Sequence, residues 1–212
     1  MRRVFSTIAR SGLAEGGCGG RRPSRSRASP RSMIYFHPAV RVAGEQYGDA
    51  VPSRFPMRLI QAGELRGHAG SLWREPRGVM WVAVKIDGRK LQILNTHLGI
   101  SPQERPLQAG TLVSDQWLDN PQCRDPRLLC GDFNSLPRSP VCCQLSKMLK
   151  DAKTAIAGPG RLHQTFPCQF PMARIDHVFV SSQLEVVAIE LAVSQFARTA
   201  SDRLPLIVEI RR

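Results

Sequence analysis

The stretch Leu128-Leu129-Cys130-Gly131-Asp132-Phe133-Asn134 turns abruptly from an apolar run to an acid. Leu128 to Gly131 has the length and composition of a short buried strand, and that strand ends on a carboxylate. A carboxylate at a buried strand end is costly unless it is paired or faces a cation. Three further segments repeat the pattern of polar residues closing or opening an apolar run. They are Asn95-Thr96-His97-Leu98, Arg174-Ile175-Asp176-His177 and Ser201-Asp202-Arg203-Leu204-Pro205. Carboxylates at Asp132, Asp176 and Asp202, on separate strands, imply convergence at one rim of a sheet. Hard oxygen donors without a cysteine cluster point to Mg²⁺ or Mn²⁺ rather than zinc.

Outward from this stretch the pattern is that of a folded domain over residues 33–212. Val79 to Ile86 is a dense β run, Asp87-Gly88 supplies a two-residue hairpin turn, and Leu91 to Asn95 resumes as a strand. Pro102 to Leu118 reads as a helix capped by Ser101, with Leu107, Leu112 and Leu118 toward the core and Pro106 in its first turns. Ser139 caps a second helix that has Pro140 at its first position and Val141, Leu145 and Leu149 facing inward. Strands at His177 to Val180, Glu185 to Val193 and Leu204 to Ile210 close the chain. Strands outnumber helices, and hairpins mix with helical crossovers, so a layered α/β sandwich is expected.

Residues 1–32 differ from this body. They carry eight arginines against the single acid Glu15, so more than half of the net +13 sits there. Rich in Arg, Ser and Gly, the segment cannot bury enough apolar surface to offset its ordering entropy, and disorder is expected. An organelle transit peptide and a misplaced start are the other two readings. The remaining body is mildly basic, which suits a phosphate-rich partner but also describes many soluble domains. The six cysteines form no CxxC pair and no zinc spacing; free thiols in a reducing, cytoplasmic setting are the simplest reading, and no motif partners any of them for catalysis. No apolar run is long enough for a membrane helix. Oligomeric state is left open.

In order and spacing the four segments resemble the later motifs of the endonuclease/exonuclease/phosphatase superfamily, the DNase I-like metal-dependent hydrolases. Gly48-Asp49-Ala50-Val51-Pro52-Ser53-Arg54-Phe55-Pro56 also resembles that family's earlier Gly-Asn-Ala-x-Leu-Ser-Arg element. The likeness runs from about Tyr35 to Ile210. It implies a DNase I-like sandwich and a Mg²⁺- or Mn²⁺-dependent phosphoesterase. Its substrate would be nucleic acid, a phospholipid headgroup or a small phosphoester. It further implies that Asp132 holds a metal or positions water, that Asp202 is a metal ligand, and that His97 donates to the phosphate or protonates the leaving group. Asn95, Asn134 and Arg203 would contact the substrate phosphate. Asp176 would orient the histidine that the family has after the aspartate of its last motif.

Two departures shape the functional expectation. The family's opening motifs, an early strand ending in Asn and then a Gln-Glu pair, have no counterpart in residues 1–32, so a sandwich without its first strand and helix is expected. Arg203 stands where the family has histidine; an arginine stays charged and cannot act as a base. Asp49 for Asn and Pro52 for Leu are smaller changes. The expectation is therefore an impaired phosphoesterase. A non-catalytic phosphate- or nucleic-acid-binding remnant of the same fold and a truncated gene product are the alternatives. Each residue also has a plainer role: His97 as a buried hydrogen-bonded histidine, Asp132 and Asn134 as turn formers, Asp176 as a partner of Arg174.

Overall fold

A computed structural model describes residues 3–7, 11–13, 33–42, 45–65, 67, 76–156 and 163–212. In chain order the strands and helices are β1 (Arg3–Thr7), β2 (Ser11–Leu13), β3 (Met33–Val42), β4 (Glu45–Ser53), β5 (Met57–Leu65), β6 (Arg77–Ile86), β7 (Arg89–His97), α1 (Glu104–Leu112), β8 (Arg127–Asp132), α2 (Pro140–Leu145), β9 (Lys150–Asp151), α3 (Ala152–Ala155), β10 (Asp176–Val180), β11 (Glu185–Leu191), α4 (Gln195–Ala200) and β12 (Leu206–Arg211).

The central sheet has six strands in the order β5-β6-β7-β8-β10-β9. Strands β6 and β7 form the hairpin expected at Asp87-Gly88, where both turn residues have positive φ, +49° and +79°. Between β7 and β8 the chain crosses over through α1, and these two strands run parallel. Two smaller sheets, β1-β12-β11 and β2-β4-β3, make up the remaining strands.

Each face of the central sheet has its own core. On one side Trp81, Leu94 and Leu129 pack with Ala109 and Leu112 of α1 and with Val141 and Leu145 of α2. On the other, Met80, Val82, Ile93 and Leu128 pack against Val51 of β4 and against Val186, Leu206, Val208 and Ile210 of β11 and β12. Strands buried on both faces explain why β6 and β7 read as continuous apolar runs rather than alternating ones. The layered α/β sandwich is thus the observed fold.

Three local expectations shift. Helix α1 is shorter than Pro102–Leu118. Its N-cap is Gln103 rather than Ser101, although Ser101 O still accepts from the backbone N–H of Glu104 and Arg105. Ser114 Oγ bonds Thr111 O at 2.7 Å, a local alternative to helical continuation that ends the element. The buried stripe runs Glu104, Gln108, Ala109 and Leu112, which leaves Leu107 off it and 49% exposed, while Leu118 is buried as expected. The second helix forms as read: Ser139 Oγ accepts from Cys142 N, and Pro140 stands at the first position. Within residues 1–32, Arg3–Thr7 and Ser11–Leu13 are strands. Strand β1 adds to the β12 edge, Arg3 opposite Ile210 and Thr7 opposite Leu206. The β-favouring Val4, Phe5 and Thr7 beside an open strand edge account for this against the segment's overall composition. The other residues of 1–32 lie outside the described residues.

Candidate functional site

Register alone brings the first three residues together. His97 ends β7 opposite Asp132 at the end of β8, and Asp176 opens β10 opposite the same Asp132. The step into Asp132 needs a glycine. Gly131 has φ +147°, and a Cβ there would lie 1.8 Å from Thr96 O on the neighbouring strand.

Asp132 is fully buried, and its Oδ2 atom is the hub of the site. Arg203 Nη2 lies 2.5 Å from it and His97 Nε2 2.9 Å. The other carboxylate oxygen, Oδ1, accepts from Asn134 N at 2.9 Å, closing an Asx turn. Asn134 takes φ +46°, a left-handed conformation that asparagine tolerates. Its Nδ2 donates to Leu98 O at 2.9 Å and sits 3.3 Å from His97 Nε2, while Arg105 donates to its carbonyl. Asn134 therefore shapes the turn and also presents its side chain beside the histidine.

Arg77, on the neighbouring strand β6, places Nη1 3.3 Å from His97 Nδ1 and 3.2 Å from Nε2. Arg77, Asn134 and Asp132 thus surround the imidazole and hold the ring in place. No local signal in the sequence marks Arg77, because it opens an apolar strand and meets His97 only across the hairpin.

Arg203 also reaches Asp176, with Nη1 3.6 Å from Asp176 Oδ2, and its guanidinium stacks over the Phe166 ring at 5.3 Å. Nη1 is buried and makes no hydrogen bond among the described residues. Asp176 accepts from Thr165 Oγ1 at 2.5 Å. Burial and then the adjacent Asp132 push the Asp176 carboxyl up to about 6, against the opposing pull of Arg203 and Thr165.

The other expected site residues are less tightly gathered. Asp202 has a side chain 70% exposed and meets Arg203 Nε at 3.8 Å. Asn95 is buried on β7, where its Oδ1 accepts from Cys130 Sγ at 3.6 Å. Asp49, on β4, is carried over Gly78 of β6, where its Oδ2 lies 2.7 Å from the position a Cβ would take. Arg54 of the same segment is exposed and lies over Phe55 instead.

The Mg²⁺ or Mn²⁺ expected from the sequence needs several open oxygen donors around one point. Here the guanidinium of Arg203 occupies the space between Asp132 and Asp176, and Asp202 faces solvent. Among the described residues no group of three or more His, Cys, Asp or Glu side chains is arranged to hold an ion. These donors do not fit a divalent cation while Arg203 stands among them. What the arrangement does offer is a donor-rich rim of Arg203, Asn134 and His97 beside the two carboxylates, with donors an oxyanion could accept from.

A family model described as "Endonuclease/Exonuclease/phosphatase family" matches residues 7–202. YbhP of Escherichia coli is 27% identical over 166 residues, which is 77% of this chain and 62% of that protein. The chain thus spans about three-fifths of the length of the curated relatives it matches. An endonuclease/exonuclease/phosphatase family protein from Leptotrichia buccalis superposes with a TM-score of 0.73 at 14% identity, covering 99% of this chain and 87% of the other. The mannosyl-6-phosphatase Bt3783 of Bacteroides thetaiotaomicron superposes with a TM-score of 0.62 at 23% identity, covering 84% and 77%.

Proposed function

Because this chain belongs to the endonuclease/exonuclease/phosphatase family, we propose that it acts on phosphate esters as a phosphoesterase whose turnover Arg203 impairs. Members of the family are generally divalent-metal dependent. One observation carries the reading: among the described residues Arg203 Nη1 is buried and makes no hydrogen bond, at the rim it shares with His97 and Asn134. An oxyanion of the ester would satisfy that donor. Asn134 Nδ2 would add a neutral donor, and Asp132 keeps the His97 imidazole in one orientation. Nucleic acid, a phospholipid headgroup and a small phosphoester all present the required oxyanion, and the neighbouring mannosyl-6-phosphatase is by name a phosphatase.

Arginine at this position pairs with the two carboxylates and takes the space a metal ion would need, but it cannot exchange a proton. That combination binds phosphate without supplying the proton transfer that hydrolysis needs. The test is hydrolysis of bis(p-nitrophenyl) phosphate by the full chain in EDTA, Mg²⁺ and Mn²⁺, beside the Arg203→His variant. The wild type should turn over barely above buffer and ignore the metal, whereas Arg203→His should gain about 100-fold in Mn²⁺. A cooperatively folded Arg203→His variant that stays inert in every buffer would overturn the phosphoesterase reading. Binding of inorganic phosphate by that inert protein would establish the second reading, a non-catalytic phosphate-binding domain. The unsatisfied Arg203 donor favours that second reading equally.

A further inference from the structure

A second buried ionic cluster lies on the helical side of the central sheet, and the phosphate rim does not use it. His177, fully buried on β10, places Nε2 2.8 Å from Ser135 O and Nδ1 3.4 Å from Asp151 Oδ2. Nε2 therefore has a carbonyl acceptor, while Nδ1 is within ion-pair distance of Asp151 and makes no hydrogen bond among the described residues. Asp151 in turn receives two hydrogen bonds from Arg174, at 3.0 and 2.7 Å. Arg174 and the His177 ring thus flank the Asp151 carboxylate, with the buried Asp176 carboxylate next to His177 in the chain. The remaining neighbour is Cys142 of α2, whose Sγ stands 3.7 Å from His177 Nε2. A thiolate there would pair directly with the His177 ring, and a buried charge costs least when it is paired.

The surroundings separate this thiol from the others. Burial, and more weakly the Asp151 carboxylate, push the Cys142 thiol up, but the His177 contact and the Ser139 hydroxyl outweigh them and hold the thiol below its ordinary value. Burial dominates at Cys123 and Cys130, which are pushed up to about 11 and about 12. For His177, burial opposes the charge, yet Asp151 and Cys142 raise the imidazole to about 9. Cys142 is itself only 3% exposed, and that small exposed edge lies at the floor of a groove of about 800 Å³ with Arg138, Lys147 and Lys153 on its walls. That volume accommodates a small organic ligand, and the basic walls favour an anionic one.

We propose that Cys142 is a thiolation site for an anionic low-molecular-weight disulfide seated in this groove. The Cys142 thiolate attacks one sulfur of the disulfide, forming a new S–S bond. The disulfide's own S–S bond breaks, and its other half leaves as a thiolate with the electron pair, so no proton or further oxidant is required. The adduct would fill the groove beside the 134–139 turn, which ties thiol state to the loop carrying Asn134 and Ser135.

The experiment follows the reaction of the full chain with two disulfide probes, anionic 5,5′-dithiobis(2-nitrobenzoate) and neutral dithiodipyridine, and identifies the modified cysteine by peptide mass spectrometry. Cys142 should carry the first label, at least about ten-fold faster than the exposed Cys143 beside it, as expected for an imidazolium-paired thiolate. Cys142→Ser should abolish that fast phase. Lys147→Glu with Lys153→Glu should slow the anionic probe several-fold and leave the neutral one unchanged; Lys147 is exposed and Lys153 half-buried, and circular dichroism checks that the fold is retained. His177→Gln should slow both probes. First labelling at Cys143, a fast phase surviving in Cys142→Ser, or an anionic rate indifferent to the lysine reversals would each overturn the proposal.

Discussion

Asp49 stands where the related element has asparagine, and its surroundings give it much of an amide's chemistry. Burial pushes its carboxyl up to about 8, with Arg77 pulling in the opposite direction. Near neutral pH it therefore holds a proton, and a neutral carboxylic acid has the shape and polarity of the asparagine side chain. The folded protein keeps this proton between about pH 4 and pH 8 while the unfolded chain gives it up, so stability falls as pH rises through that window. An amide at this position has no proton to lose and no such slope. Melting temperatures followed by circular dichroism at pH 5, 7 and 8.5 should show Asp49→Asn gaining on the wild type as pH rises; a gap constant with pH would refute the raised carboxyl. Asp176, raised to about 6, acts with the same sign over a narrower range in both proteins. At this scale legibility in the sequence was uneven for a physical reason. His97, Asp132, Asn134, Asp176 and Arg203 each interrupt an apolar run, and that interruption is visible locally. Arg77, and the grouping of Asp151, Cys142 and His177, depend on contacts between distant segments and carry no local mark.

Among the elements, strand β8 and the turn after it concentrate the constraints. A methyl group on Gly131 would meet the Thr96 carbonyl of β7, which is main chain and cannot rotate away. Gly131→Ala should therefore lose on the order of 4 kcal/mol or more in urea unfolding, with the His97–Asp132 pairing disordered in step. A loss under about 1 kcal/mol would mean that β7 and β8 separate easily. The α2 cap is the milder comparison: Ser139→Ala removes the acceptor for Cys142 N and should cost about 1 kcal/mol in the same titration. The hairpin of β6 and β7 and the start of α2 were readable because Asp-Gly and Ser-Pro encode backbone geometry directly. The end of α1 was not, because Ser114 closes the helix through a side-chain bond to Thr111 O that periodicity does not register.

For the molecule as a whole, strands β6, β7 and β8 belong to both cores, so neither core can melt while leaving the other intact. Leu145→Ala opens a cavity on the helical side and Leu128→Ala one between the sheets, and each should cost roughly 2–5 kcal/mol. Trp81 and Trp117 both lie in the helical-side core. Tryptophan fluorescence and far-ultraviolet circular dichroism should nevertheless report one coincident transition for either variant; separate midpoints would show that the cores unfold independently. The layered architecture was legible from the alternation of strand and crossover signals. The addition of β1 to the β12 edge was not, because it pairs Arg3 with Ile210 at opposite ends of the chain. The same long-range stitching bears on Arg203. Cys168 N donates to Asp202 O at 2.8 Å, and Leu204 N donates to Thr165 O at 2.8 Å, so the main chain is fastened on either side of this one side chain. Position 203 is consequently a socket: the backbone presents whatever residue is encoded there to Asp132 and Asp176. Arginine and histidine codons can differ by a single base, so a lineage could exchange a fixed cation for a titratable imidazole beside these carboxylates in one mutational step, without rebuilding the scaffold.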